Sequence, residues 1–172
     1  SSYEGLVYPQ FNETIHVLTH DAVTQYYKRL VASNADITYI EGYDYGRAVP
    51  YCDLLGFTDE YGNVFIMDGD YRKETPPEEQ FMFIKDTRAY YGVRPDNHIL
   101  ADPDIFRRKG LNKGTVGKSL NDMFMDAGIH CIRGNNDIAN GIIKVSQYLI
   151  PQRNHANPIT GVFNSPYLYI SD

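Results

Sequence analysis

The sequence has no run approaching the roughly 18 consecutive apolar residues that a membrane-spanning helix requires. Its first residues, Ser1-Ser2-Tyr3-Glu4, lack the basic and apolar regions of a signal peptide, and the absence of an initiator Met fits a cut end. Cysteine is scarce. Cys52 and Cys131 form neither a metal motif nor a disulfide framework by spacing, so reduced, buried thiols are expected, which fits an intracellular compartment. Positive charge is also in short supply: 16 Lys and Arg against 22 Asp and Glu leave a net charge of −6. That balance argues against a general polyanion binder. A chain of this kind that handles nucleic acid must gather its cations locally. One strip does so, residues 105–121, where Arg107, Arg108, Lys109, Lys113 and Lys118 stand without an acid among them. A solvated basic loop explains that strip equally well.

What is present suits one globular domain. The 172 residues, 42% of them apolar, suffice for a substantial core. Residues 1–20 read as an irregular lead-in containing Pro9. Asp21 is placed to cap a helix whose Val23, Tyr26, Tyr27, Leu30 and Val31 form an apolar stripe. Strands are expected at 37–43, 51–58 and 63–71, with Asp59-Glu60-Tyr61-Gly62 as a hairpin turn. Pro76 and Pro77 then open a helix, with Glu78 and Glu79 at its positive end, an apolar side of Phe81, Ile84 and Tyr91, and Gly92 as its stop. His98–Ala101 is a fourth strand. Ser119 and Asp122 resemble a capping box for a helix to about Ala127, and a strand follows at 129–132. Asp137 can start a helix carrying Ile138, Ile142, Val145 and Leu149 on one face until Pro151, and a short strand closes the chain at 167–170. The expected fold is therefore α/β, a mixed sheet in the order β-β-β-α-β-α-β-α, with an N-terminal extension and a C-terminal strand. Residues 1–36 are read as the lead-in segment and 37–172 as the main domain.

Two aspartates stand at strand ends. Asp44 closes the first strand in Gly42-Tyr43-Asp44-Tyr45-Gly46, and Asp102 closes the fourth in Ile99-Leu100-Ala101-Asp102-Pro103. If those strands are neighbours, both carboxylates emerge at one rim, where hard divalent cations favour oxygen ligands. As single residues both are equally well explained as turn formers, and their pairing does not displace that reading. Other patterns lead nowhere firm. Gly114-Thr115-Val116-Gly117-Lys118-Ser119 ends like a P-loop, but the motif needs Gly where Asn112 stands. His16 and His20 have helical spacing but no third ligand. Asn12-Glu13-Thr14 matches a glycosylation sequon without any sign of secretion.

Several segments, in order, resemble one family. Gly42-Tyr43-Asp44-Tyr45-Gly46, Pro50 and the Gly62-Asn63 turn before Val64-Phe65-Ile66 are similar to the opening strands of the nuclease domain of tailed-bacteriophage large terminase subunits. Ile99-Leu100-Ala101-Asp102-Pro103 resembles that family's second acidic motif. Asn135-Asn136-Asp137 with Gly141-Ile142 and Val145, then His155, Pro158, Gly161 and Ser165-Pro166-Tyr167-Leu168-Tyr169-Ile170, are similar to later family segments. Glu4-Gly5-Leu6-Val7-Tyr8-Pro9 and His16-Val17 look like the link from motor to nuclease.

The resemblance implies an RNase H-like fold and a two-metal site for Mg²⁺ or Mn²⁺ that hydrolyses double-stranded viral DNA during genome packaging. Asp44 would bridge the metals and Asp102 hold one of them. The strip Arg107, Arg108, Lys109, Lys113 and Lys118 would touch DNA phosphates. Implied partners are double-stranded DNA, a terminase ATPase domain, a small terminase subunit and a portal protein, in the host-cell cytoplasm and with no membrane. One departure matters. The family's third metal-binding acid lies in a late Asp-Asp-rich helical motif that is not found before Asp172. The domain is then shortened at its C-terminus, binding metal weakly and cutting little, or another carboxylate substitutes, with Asp137 the internal candidate. Two alternatives stand beside this reading: a non-catalytic docking or assembly module of the packaging motor, and another RNase H-like nuclease or resolvase.

Overall fold

Regular structure begins earlier than the lead-in suggests. The computed structural model describes residues 7–46, 49–108, 110–111 and 115–172, and for 110, 111, 115 and 116 the backbone alone. In chain order its elements are α1 (Glu13–His16), β1 (Val17–Leu18), α2 (His20–Ala32), β2 (Thr38–Asp44), β3 (Tyr51–Thr58), β4 (Val64–Arg72), α3 (Pro77–Tyr91) and β5 (His98–Ala101). A 3₁₀ turn (Pro103–Phe106) follows, then β6 (Gly110–Leu111), β7 (Thr115–Val116), α4 (Leu120–Asp126), β8 (His130–Arg133), α5 (Ile138–Leu149) and β9 (Leu168–Ser171). Seven strands form a mixed sheet in the order β1-β9-β4-β3-β2-β5-β8. The fold is α/β, as the element order requires. Part of the expected irregular lead-in is a sheet strand instead: Val17 and Leu18 pair in parallel with Ile170 and Ser171. Two residues have no strand signal of their own, because their pairing depends on a partner at the other end of the chain.

By mutual packing the chain divides into two units, one of residues 1–38, 56–67 and 137–172, the other of 39–55 and 68–136. The first unit is built on aromatic rings. Phe57 stacks on Phe65 at 5.0 Å between ring centroids, and Phe65 on Tyr169 at 5.2 Å. Helix α2 adds Val23, Tyr26 and Tyr27, all buried, but Val31 is exposed, so the stripe stops short of the helix end. Thr19 rather than Asp21 caps α2, its hydroxyl accepting from the Ala22 N–H. The expected hairpin turn is tied by Asp59, whose Oδ1 accepts from the N–H groups of Tyr61 and Asn63, while Gly62 takes φ +84° without a Cβ penalty. On α5, Leu149 is buried and Ile142 and Val145 are half-buried, but Ile138 lies 74% exposed.

The second unit packs α3 and α4 on one face of its strands. Phe81 and Ile84, one helical turn apart, meet Tyr43, Tyr51, Ile99 and Ala101, and Phe124 of α4 joins them. The capping box foreseen at Ser119 and Asp122 is formed in both directions. Behind this apolar layer lies a buried ion pair. The Arg88 Nε donates to both Glu41 oxygens at 3.0 Å, and its remaining nitrogens donate to the carbonyls of Pro95 and Asn97. Asn97 completes the set by donating to Glu41.

Asp53 on β3 is treated differently. Its carboxyl is buried, with Oδ2 lacking a hydrogen-bond partner among the described residues. Burial, then the charges of Glu41 and Asp68, push its pKa up to about 7, against a smaller opposing effect of Arg72. The sign follows from linkage. Between the ordinary carboxylate range and pH 7 the unfolded chain gives up a proton that the folded chain keeps, so stability falls as pH rises through that window and levels off above it. The expected loss is at most roughly 4 kcal/mol. Asp53→Asn should flatten this slope and be the more stable protein at pH 8, as urea denaturation at pH 5 and pH 8 would measure. Equal slopes in parent and variant would discard the assignment.

Candidate functional site: an acid pair at a parallel strand edge

Strand β2 runs parallel to β5, with Gly42 opposite Leu100 and Tyr43 opposite Ala101. Continuing that register by one residue sets Asp44 beside Asp102, and the Asp102 N–H donates to the Tyr43 carbonyl at 3.1 Å. Local sequence then turns both chains away from the sheet. Pro103 cannot extend a ladder, and Asp102 caps the 3₁₀ turn by accepting the Asp104 N–H at 2.7 Å on Oδ1. After Asp44 the chain folds back so tightly that a Cβ on Gly46 would lie 2.3 Å from the carbonyl oxygens of Val49 and Pro50. Glycine is therefore obligatory there. Gly42, in contrast, has open space beside it.

The two carboxyl groups are electrostatically coupled. Partial burial, the Asp102 charge and a hydrogen bond with Asp102 raise the pKa of Asp44, opposed by a hydrogen bond from the Tyr45 backbone. Two oxygen-bearing acids that repel each other at the end of adjacent strands form a donor set suited to a hard divalent cation retaining several waters. Among the described residues, no three His, Cys, Asp or Glu side chains are grouped so as to hold a metal ion. The chemistry of the pair thus fits one hydrated ion. A second ion would need further ligands.

Asp137 caps α5 in the first unit, accepting from the Asn140 N–H and side-chain amide. It belongs to no three-ligand group. Of the basic strip, Arg107, Arg108 and Lys118 are described, and acids from flanking sequence answer each of them. Arg107 pairs with Asp104 at 3.1 Å, Arg108 lies 3.9 Å from Asp122, and Lys118 pairs with Asp126 at 2.7 Å. Lys109 and Lys113 lie outside the described residues. The strip that reads as a solvated basic loop includes an antiparallel ladder, Gly110 with Val116 and Leu111 with Thr115. His16 is fully buried, its Nε2 2.7 Å from the Leu149 carbonyl oxygen, so it is a core histidine. His130 is exposed and Cys131 buried, as strand alternation demands.

Sequence reading missed a cavity of about 390 Å³ in the second unit, with Tyr45, Tyr51, Arg72, Arg107 and Lys118 in its lining. No linear pattern announces it, since its residues come from five separate segments. The only local hint is Asp70-Tyr71-Arg72, where alternation puts the Arg72 guanidinium back on Asp70, which also accepts the Tyr51 hydroxyl.

Coupling within the pair is directly measurable. Replacing Asp102 by Asn removes the like charge, so the pKa of Asp44 should fall toward the ordinary carboxylate range. Carboxyl-carbon NMR titration of parent and Asp102→Asn reads this, and an unchanged Asp44 midpoint would mean that the pair does not interact.

Comparison with known proteins adds the fold. No family model matches the sequence, and no curated protein matches it. Among solved structures, the chain is similar to the large terminase of a thermophilic bacteriophage, seen in two crystal forms. Both have a TM-score of 0.57, with 18% and 16% identity over 84% and 96% of this chain. It therefore spans about a third of that phage protein, 31% and 34% of its length in the two forms. The P22 large terminase nuclease domain superposes with a TM-score of 0.61 at 12% identity, covering 98% of this chain and 73% of that one. At these identities the likeness concerns architecture: the chain has the fold of a large-terminase nuclease domain, consistent with an RNase H-like arrangement.

Proposed function

We propose that the protein is a divalent-metal-dependent endonuclease that hydrolyses double-stranded DNA during viral genome packaging. The observation that carries the reading is the coupled pair Asp44 and Asp102 at neighbouring parallel strand ends, within a fold shared with terminase nuclease domains. Mg²⁺ or Mn²⁺, as a two-metal site in the full reading, would lower the pKa of a bound water and stabilise the oxygens of the phosphodiester. In this assignment Asp44 and Asp102 would be the residues that hold the metal. The Asp104 N–H fixes one oxygen of Asp102, so that carboxylate meets its ligand already oriented. Asp44 must lose its proton to bind, and its raised pKa makes binding tighten as pH rises. Arg107, Arg108 and Lys118, with Lys109 and Lys113, contact the DNA backbone, positioning the duplex without reading its sequence. A terminase ATPase domain, a small terminase subunit and a portal protein are the proposed partners, in the host-cell cytoplasm. No helix among the described residues is long and apolar enough to cross a membrane.

A second reading, a docking or assembly module of the packaging motor, is favoured by one observation, the lack of a three-ligand group among the described residues. Two measurements separate the readings. Parent protein should nick or cut linear duplex DNA in millimolar Mn²⁺, and Asp44→Asn should reduce that cutting to background while its circular dichroism is unchanged. Mn²⁺ should also raise the Tm of the parent by a few degrees, as a ligand present at about 100 times its Kd adds ~2.7 kcal/mol. That shift should vanish in Asp44→Asn. Equal cutting by the variant removes the site assignment, whereas a parent with neither cutting nor a Mn²⁺ shift supports the docking reading.

A further inference from the structure

The cavity beside the acid pair has a lining that the pair itself does not use. Its volume, about 390 Å³, lies in the lower part of the ~300–1,000 Å³ range of pockets that enclose a small molecule. Two of its walls continue the segments that carry the acids: Tyr45 directly follows Asp44, and Asp104 and Ile105 follow Asp102. Leu120 and Met123 of α4 add apolar surface, while Arg72, Arg107 and Lys118 bring positive charge. Tyr45 is half-buried and packs against the core of the unit, so its ring is held in place rather than free to swing.

This combination selects among nucleic-acid forms. A paired duplex keeps its bases stacked inward and offers phosphates and groove edges, none of which fills a half-open cavity with aromatic and apolar walls. An unpaired nucleotide offers both a flat base for the aromatic wall and an anion for the cations. The cations are available at little cost. Arg107 is held to Asp104 through an Nε contact and is 81% exposed, and Lys118, 71% exposed, is held by Asp126. Exposed ion pairs of this kind are weak and give way to a phosphate. The acids Glu74 and Asp104 also border the cavity, which disfavours its filling by a phosphate group alone.

We infer that the cavity receives one unpaired nucleotide of the substrate strand, its base against Tyr45 and its phosphate at Arg107 and Lys118, so that the enzyme engages DNA where a strand is splayed from its complement. The ligand class rests on the nuclease reading, but the cavity and its lining do not.

Binding without metal tests this. In EDTA, fluorescence anisotropy compares a blunt labelled duplex with one of equal length whose ends carry unpaired nucleotides. The splayed duplex should bind roughly tenfold more tightly. Tyr45→Ala should erase that preference and Tyr45→Phe should keep it. Arg107→Gln, a change at an exposed side chain that the fold tolerates, should weaken binding of the splayed duplex and lower its salt slope by about one. Equal affinity for the two duplexes overturns the proposal, as does a preference that survives Tyr45→Ala. If Tyr45→Ala fails to fold, an Arg107→Gln protein with parental affinity and salt slope overturns it instead. Cleavage in Mn²⁺ reports separately on the nuclease reading. A parent that prefers splayed ends but does not cut sinks that reading alone, and one that cuts without the preference sinks the cavity alone.

Discussion

A parallel ladder two rungs long, Gly42 with Leu100 and Tyr43 with Ala101, decides where two like charges come to rest. Side chains alternate along a strand, so a slip of one residue would exchange every inward and outward position of β2. In the observed register Glu41 and Tyr43 point into the unit, where Arg88 and Gln80 meet them, and Asp44 is exposed at the strand end. After a slip, Asp44 would be buried without a cation and Arg88 would lose its carboxylate. Breaking a buried pair by removing one partner typically costs about 3–5 kcal/mol. The ion pair deep in the unit therefore enforces the register that sets Asp44 next to Asp102. Specificity at the rim is built in the core.

The same core carries a second carboxyl that it does not pair. Glu41 has a guanidinium donating to both its oxygens, with an asparagine beside it, whereas Asp53, two residues into β3, has a buried oxygen without a partner among the described residues. Arg88 cannot serve both, because its other nitrogens are committed to the Pro95 and Asn97 carbonyls, which fix the loop leading into β5. The unit thus places its one buried cation, among the described residues, where it holds β2, α3 and the start of β5 together. Asp53 is left to keep its proton, which links the stability of this unit to pH.

Much of the architecture was legible because its signals are local. The β3 and β5 boundaries, the Asp59 turn, the proline start of α3 and the Ser119 box each depend on residues within a few positions of one another. What escaped was non-local. Strand β1 depends on its pairing with β9, and Ile138 fits the helical period but is left exposed among the described residues. Thr19 outcompetes Asp21 as a cap, a small shift along the chain that periodicity cannot resolve. Asp44 and Asp102 could be named from strand ends, but their adjacency required β2 and β5 to be parallel neighbours, which no linear pattern states. The surroundings of the basic strip were also non-local. It contains no acid, yet Asp104, Asp122 and Asp126 from either side reach its cations.

That neutralisation bears on how a chain of net charge −6 could engage a polyanion. Long-range attraction is weak when each described cation of the strip already faces a carboxylate, and it fades within about 10 Å in ordinary salt. On the proposed reading, engagement would rest on short-range exchange, in which phosphates replace Asp104 or Asp126 as partners and a divalent ion relieves the repulsion between Asp44 and Asp102. A divalent ion at the acid pair would lower the negative charge of that rim and so ease the approach of a phosphate, whose own exchange with Asp104 or Asp126 leaves a carboxylate unpaired. On the proposed reading the chain would hold DNA more weakly before a divalent ion reaches the acid pair than after it.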